Sequence, residues 1–166
     1  MKKLVLALLL TVGVVAGESV NGYVGVAGLY ENTHVFQKSD LPVKESALGG
    51  QFLIGANLLK QDGVTLGFEG RWLSTDSEFT DYAVIGLLRA SYEASPELDV
   101  FLLGGYGMLD TGMTSVDGYS YGIGASYAIA ADYRFVVDYL SLPNPDDVTY
   151  GTADFDVITV GLEYRY

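Results

Sequence analysis

The chain has 166 residues, a formal charge of −12 and no cysteine. That length holds a single domain; the acidity repels phosphate backbones and argues against a nucleic-acid partner; without thiols, disulfides and thiolate metal sites are excluded. With 49% hydrophobic residues, 21 glycines and 13 tyrosines, the composition is unusual for a soluble domain, and the pattern along the chain explains it.

The first element is a leader. Met1-Lys2-Lys3 is a short basic start, Leu4 to Val15 is an uncharged apolar run, and Val15-Ala16-Gly17 places small residues ahead of Glu18-Ser19. A spanning helix needs about 20 apolar residues, so this shorter run reads as a secretory signal peptide cut after Gly17. Residues 1–17 are expected to leave and 18–166 to form the mature domain, with no cofactor. Losing Lys2 and Lys3 moves the formal charge from −12 to −14, which helps an exported chain stay soluble before it inserts.

After Gly17 no apolar run is long enough for a spanning helix. Instead, apolar residues recur at every second position in eight segments: Val20 to Tyr30, Ser46 to Leu58, Val64 to Ser74, Asp81 to Glu93, Val100 to Leu109, Gly118 to Ile129, Asp132 to Ser141, and Phe155 to Tyr166. Segments of about ten residues with this period are what membrane-crossing strands show. In the third, Leu66, Phe68, Gly70 and Trp72 oppose Thr65, Gly67, Glu69 and Arg71. In the fourth, Tyr82, Val84, Gly86, Leu88, Ala90 and Tyr92 oppose Arg89, Ser91 and Glu93. In the seventh, Tyr133, Phe135, Val137 and Tyr139 oppose Asp132, Arg134 and Asp138. In the eighth, Ile158, Val160, Leu162, Tyr164 and Tyr166 oppose Thr159, Gly161, Glu163 and Arg165. The first and fifth segments carry apolar residues on both faces, so their facing stays open.

Connection lengths alternate. Leu59 to Gly63, Ala94 to Asp99 and Ala130-Ala131 are tight, Glu31 to Glu45 and Leu142 to Asp154 are long, Asp110 to Asp117 is intermediate and Thr75 to Thr80 is short. Membrane barrels have short periplasmic turns and longer outer loops, so both termini are expected in the periplasm, in agreement with an even strand count, which puts them at one end.

Tyrosine placement indicates which face meets lipid. Tyr82 and Tyr92, Tyr119 and Tyr127, and Tyr133 and Tyr139 bracket apolar bands of one parity, and with Trp72 they form a candidate aromatic girdle. The opposite face carries Glu69, Arg71, Arg89, Glu93, Arg134, Asp138, Glu163 and Arg165. Buried charges persist only when paired, and an eight-stranded barrel is just wide enough for side chains to fill. These eight are therefore expected to form a lumenal ion-pair network, joined by Gln51, Asn57, Thr65, Ser91, Ser126 and Thr159. The fold expected is all-β: an eight-stranded antiparallel up-and-down transmembrane β-barrel.

The chain closes on Thr159-Val160-Gly161-Leu162-Glu163-Tyr164-Arg165-Tyr166. A polar residue, a glycine two later and aromatics at the third-last and last positions look like the C-terminal signal read by the barrel-assembly machinery, with Thr159, Gly161, Tyr164 and Tyr166 as its elements. On these features the mature chain resembles the small outer-membrane β-barrels of the OmpA/OmpX type, also labelled the outer membrane protein beta-barrel domain or porin-like. Its closing Tyr166 stands where phenylalanine is commoner. The resemblance implies a Gram-negative outer-membrane location and contact with outer-membrane lipid and lipopolysaccharide. It also implies an envelope-structural or adhesion role through the outer loops. No peptidoglycan-binding domain is expected after the barrel, unlike in full-length OmpA-type proteins. Divalent cations bridging Asp146, Asp147 and Asp154 to lipopolysaccharide weigh less than plain loop solvation.

Two other functions are open. A pore is disfavoured by a filled interior. A lipid A acyltransferase is similar in placing a histidine in its first outer loop and an Asp-Ser pair in its second, which here are His34, Asp76 and Ser77. Such an enzyme needs an apolar interior for an acyl chain, and eight lumenal charges oppose that, so no catalysis is expected. A lipocalin-like soluble barrel is disfavoured by the missing cysteines and by the lack of an apolar inward cluster.

Overall fold

A computed structural model describes residues 21–37, 43–77, 80–112, 114–143 and 151–166. The leader expected over residues 1–17, and the loop residues Asn144 to Asp147, lie outside the described residues. Eight strands follow in order: β1 (Asn21–Gln37), β2 (Val43–Gln61), β3 (Val64–Thr75), β4 (Tyr82–Glu93), β5 (Leu98–Asp110), β6 (Ser115–Ala128), β7 (Tyr133–Ser141) and β8 (Gly151–Arg165). Each pairs antiparallel with its neighbours, and β8 returns to β1 to close the barrel.

Closure fixes the tilt. The register passes from Gly22 to Ala56, Phe68, Leu88, Gly104, Tyr121, Ser141 and Asp156, and comes back to β1 at Asn32, ten residues above its start. A stagger of this size inclines the strands by roughly 40° and leaves a lumen that side chains can fill. The β2–β3 hairpin turns on Asp62 and Gly63, with φ of 50° and 80°. Two positive φ values make a type I′ turn, whose twist matches that of the paired strands and which an Asp-Gly pair favours.

The first long connection is mostly strand. The segment expected as a loop over Glu31 to Glu45 instead extends β1 to Gln37 and starts β2 at Val43, paired through Thr33↔Glu45 and Val35↔Val43. β8 likewise begins at Gly151, inside the expected loop, and pairs with β1 from Gln37 downwards. The alternation was hidden because the inward residues Glu31 and Thr33 are polar, so the segment reads as solvated although both are buried. β8, β1 and β2 therefore stand taller than the rest of the wall at the end away from the termini.

The two ambiguous segments resolve on burial. β1 turns Tyr23, Leu29, Glu31 and Thr33 inward and leaves Val26 and Tyr30 exposed; β5 turns Phe101, Leu103 and Leu109 inward and exposes Leu102 and Tyr106. The interior is layered. On β3, β4, β7 and β8 an apolar inward residue lies farther from the termini than the charge: Leu73 beyond Arg71, Ile85 beyond Arg89, Leu140 beyond Asp138, Val157 beyond Glu163. With Leu29, Leu109, Leu142 and Phe155 they form one buried cluster. The expectation that inward apolar residues form no cluster is thus corrected. Most of these residues share a strand face with a charge, and alternation alone says nothing of position along the barrel axis.

Candidate functional site

The lumen nearer the termini is occupied by a chain of ions. Arg71 grips Asp138 with both terminal nitrogens, Nη1 to Oδ1 at 2.7 Å and Nη2 to Oδ2 at 3.1 Å, while its Nε donates to Glu69 Oε1 at 2.5 Å. Arg89 Nη1 donates to Glu69 Oε2 at 3.0 Å and to Glu163 Oε2 at 2.8 Å. Arg165 continues the run, with Nε on Glu163 Oε1 at 2.7 Å and Nη2 3.4 Å from Asp99 Oδ2. Arg134 Nη2 closes it at 3.0 Å from the same Asp99 oxygen. The order is therefore Asp138, Arg71, Glu69, Arg89, Glu163, Arg165, Asp99, Arg134, with signs alternating throughout.

Burial makes this alternation a requirement. The side chains of Arg71, Glu69 and Glu163 are inaccessible to solvent and that of Arg89 almost so. Ions taken out of water are tolerated only when attraction and hydrogen bonds offset the lost hydration, and a two-pronged arginine–carboxylate contact is among the strongest ways to do so. Tyr23 adds a hydroxyl donor to Glu69 Oε2 at 2.9 Å. The Arg89 guanidinium carbon lies 3.9 Å from the Phe101 ring centroid and 5.2 Å from that of Tyr23, so aromatic faces cover it where carboxylates do not.

Seven of the eight charges expected in the lumen join this chain. Glu93 stands apart at the rim, where it pairs with Lys60 at 3.0 Å, both exposed. Its place is taken by Asp99, one residue before the expected start of the fifth segment and of the same inward parity as Phe101. Of the polar residues expected to join, Ser126 does so, accepting Arg134 Nε at 3.0 Å. Gln51 is buried with neither amide atom hydrogen-bonded. Thr159 is buried, and Thr65 and Ser91 line a polar vestibule of about 180 Å³ with Lys60, Glu93, Asp99, Arg134 and Arg165; Asn57 is half-buried near a register shift in β2. Above the ions, Gln51, Leu53, Val136, Asp138 and Thr159 surround a gap too small for water.

The outer wall is apolar between two aromatic belts. Near the termini stand Tyr92, Tyr127, Tyr133, Tyr164 and Tyr166, with Tyr133 and Tyr164 rings 5.2 Å apart. Toward the other end stand Trp72, Tyr82, Tyr106, Tyr119, Tyr121 and Tyr139, where Tyr106 and Tyr119 meet edge to face at 5.4 Å. Within the closing strand, Thr159 is buried inward, Gly161 is half-buried, and Tyr164 and Tyr166 face out.

The three residues weighed for acyl transfer are not assembled. His34 sits on β1 between its cross-strand partners Lys44 and Asp154, in strand rather than loop. Asp76 follows β3, and β2 lies between those two strands. Its backbone N–H donates to Leu48 O at 2.9 Å and its Oδ1 accepts the Leu48 N–H at 2.8 Å, so Asp76 terminates the β2–β3 ladder. Ser77 N–H turns back to Thr75 Oγ1 at 3.4 Å. Among the described residues no group of three histidine or acidic side chains is placed to hold a metal ion.

The profile of the outer membrane protein beta-barrel domain matches residues 4–166. The chain belongs to that family. No curated protein matches it in sequence. Among solved structures it is similar to Ail, the attachment invasion locus protein of Yersinia pestis, solved in complex with the heparin analogue sucrose octasulfate. The TM-score is 0.57 at 12% identity over 89% of this chain and 99% of that one. It is similar as well to Neisserial surface protein A, with a TM-score of 0.59 at 14% identity over 87% of this chain and 97% of that one. At such identities the likeness is one of fold. The apolar wall between the aromatic belts is thus the surface of an outer-membrane β-barrel, and the charged face is its lumen.

Proposed function

We propose that this barrel is a closed, non-catalytic outer-membrane protein whose interior serves stability and whose working surface is the rim away from the termini. The observation that carries the reading is the filled lumen: an eight-member ion chain on one side and an apolar cluster on the other leave no room for solute. The tight turns at Asp62-Gly63, Ala94 to Glu97 and Ile129 to Asp132 share the end that holds the termini, which supports a periplasmic position for that end. The tall wall of β8, β1 and β2 then rises outside the cell and offers a contact surface of the adhesion type.

The chemistry of that contact differs from what the Ail complex illustrates. All four arginines of the chain are in the lumen, and among the described residues of the outer rim Lys44 is outnumbered by Glu45, Asp76, Asp81, Asp110, Asp117, Asp154 and Asp156, so that surface is acidic and repels sulfated polymers. A neutral or basic partner fits it better. Outer-membrane lipid, lipopolysaccharide and, during insertion, the barrel-assembly machinery reading Thr159, Gly161, Tyr164 and Tyr166 complete the expected partners. Reconstitution in planar bilayers tests the reading: the protein is expected to show no stepwise ion conductance, and regular open-channel events from the folded wild type overturn it in favour of a pore.

A further inference from the structure

Among the described residues, the apolar layer of the lumen has one carboxylate in it. Glu31 is fully buried on β1, between Leu29 below and Thr33 above. Among the described residues its partners are hydroxyl groups only. Thr33 Oγ1 and Thr80 Oγ1 each donate to Oε1 at 2.7 Å, and Thr75 Oγ1 donates to Oε2 at 2.8 Å.

The three donors come from separate places: β1 itself, the end of β3, and the residue just ahead of Asp81 and β4. To reach β3 from β1 the side chain must cross β2. It can do so because β2 is bare there: Ala47 is opposite Glu31, and the next inward residue is Gly49, opposite both Leu29 and Thr75. A Cβ on Gly49 would lie 2.2 Å from Ser74 O and 2.9 Å from Thr75 Cγ2, so this passage admits no larger residue. Thr80 is also fully buried, although a polar residue beside a strand end usually faces water. Nothing in the ion chain explains these four residues, since Arg71 and the rest lie on the other side of Leu29, Leu73 and Ile85.

We infer that Glu31, Thr33, Thr75 and Thr80 form a strap across the lumen at the end away from the termini, sealing the apolar layer independently of the ion chain. The strap ties β1 to β3 and to the foot of β4, over a stretch where β2 supplies no bulk to fill the mouth. The barrel then has two separate closures, an ionic one near the termini and a hydroxyl–carboxylate one at the opposite mouth. Water-soluble molecules reach Leu29 and its neighbours from that mouth only when the strap is released.

The inference rests on the filled lumen proposed above, and one experiment separates the two. The chain has no cysteine, so single cysteines report cleanly. Leu29→Cys places one directly under the strap and Leu103→Cys one on the far side of the apolar layer; both parent side chains are buried. Each is combined with Glu31→Ala and, separately, with Thr80→Val, which deletes a hydroxyl at nearly constant volume. Folding is checked by heat-modifiable gel migration, and labelling by a charged methanethiosulfonate reagent is timed in detergent micelles. Loss of hydrogen bonds to a carboxylate is expected to speed labelling of Leu29→Cys by about tenfold or more, with Leu103→Cys unchanged. Unchanged labelling at Leu29→Cys in both folded variants overturns the strap, as does an equal rise at both reporters, which marks general loosening. Should Glu31→Ala fail to fold, Thr80→Val decides alone. Rapid labelling of Leu103→Cys in the otherwise wild-type protein overturns the filled lumen instead.

Discussion

Arg89 lies over Phe101, its guanidinium carbon 3.9 Å from the ring centroid, while one of its nitrogens bridges Glu69 and Glu163. Its other terminal nitrogen makes no hydrogen bond, so the charge is held by two carboxylates on one side and by a π-face on the other. Replacing Arg89 with methionine keeps most of the volume but strands two buried acids without their shared cation. Removing one partner of a buried pair costs about 3–5 kcal/mol. Arg89→Met is therefore expected to lower the unfolding free energy by that order, read by urea titration in lipid vesicles through the single tryptophan, Trp72. Combining it with Glu69→Gln should recover part of the loss; a strictly additive double variant would show that the two charges are not coupled.

The rim pair behaves differently. Lys60 and Glu93 are 3.0 Å apart, yet their side chains keep 66% and 39% of their exposure. Screening by water reduces such pairs to about 0.2–1 kcal/mol. Lys60→Ala is expected to shift the same urea midpoint barely, and less at high salt. A loss comparable to that of Arg89→Met would mean that Lys60 supports the vestibule in some way beyond this contact.

These two sites show how far the residues could be read unaided. Strand number, facing and the charged lumen were legible because period-two alternation reports side directly, and four strands carried it without interruption. Position along the barrel axis was not, since it depends on the stagger between strands, which no single strand contains. Alternation therefore groups Glu93 with Glu69 although they lie at different heights, and gives no sign of Asp99, just outside an ambiguous apolar segment. The same gap hid the apolar layer and the burial of Glu31, whose polarity resembles that of a loop residue. His34 and Asp76 were linked only by loop order, and cross-strand pairing separates them.

Gly161 lies where β8 meets β1. A Cβ there would sit 2.3 Å from Val26 O and 2.4 Å from Ala27 Cβ, and ladder hydrogen bonds fix the first of these in place. Gly161→Ala should force the closing strands apart at a cost of roughly 1–3 kcal/mol. The expected outcome is a smaller heat-modifiable fraction after refolding, partly restored by adding Ala27→Gly. Because this clash is internal to the barrel, the defect should appear in detergent without any assembly machinery. Normal refolding there, with poor insertion in cells, would instead assign Gly161 to recognition alone.

The orientation of the barrel has a direct test. Ser115, at the start of β6, and Asp132, in the turn before β7, are exposed at opposite ends. If the tight turns and the termini share the periplasm, a membrane-impermeant thiol reagent applied to intact cells labels Ser115→Cys and spares Asp132→Cys. Permeabilising the outer membrane should then expose both. Both side chains are exposed, and Ser115 donates to Asp110 at the same rim, so neither change should disturb insertion. Labelling of Asp132→Cys alone on intact cells would invert the assignment and place the tall β8–β1–β2 wall inside the periplasm, where a role in surface contact could not stand.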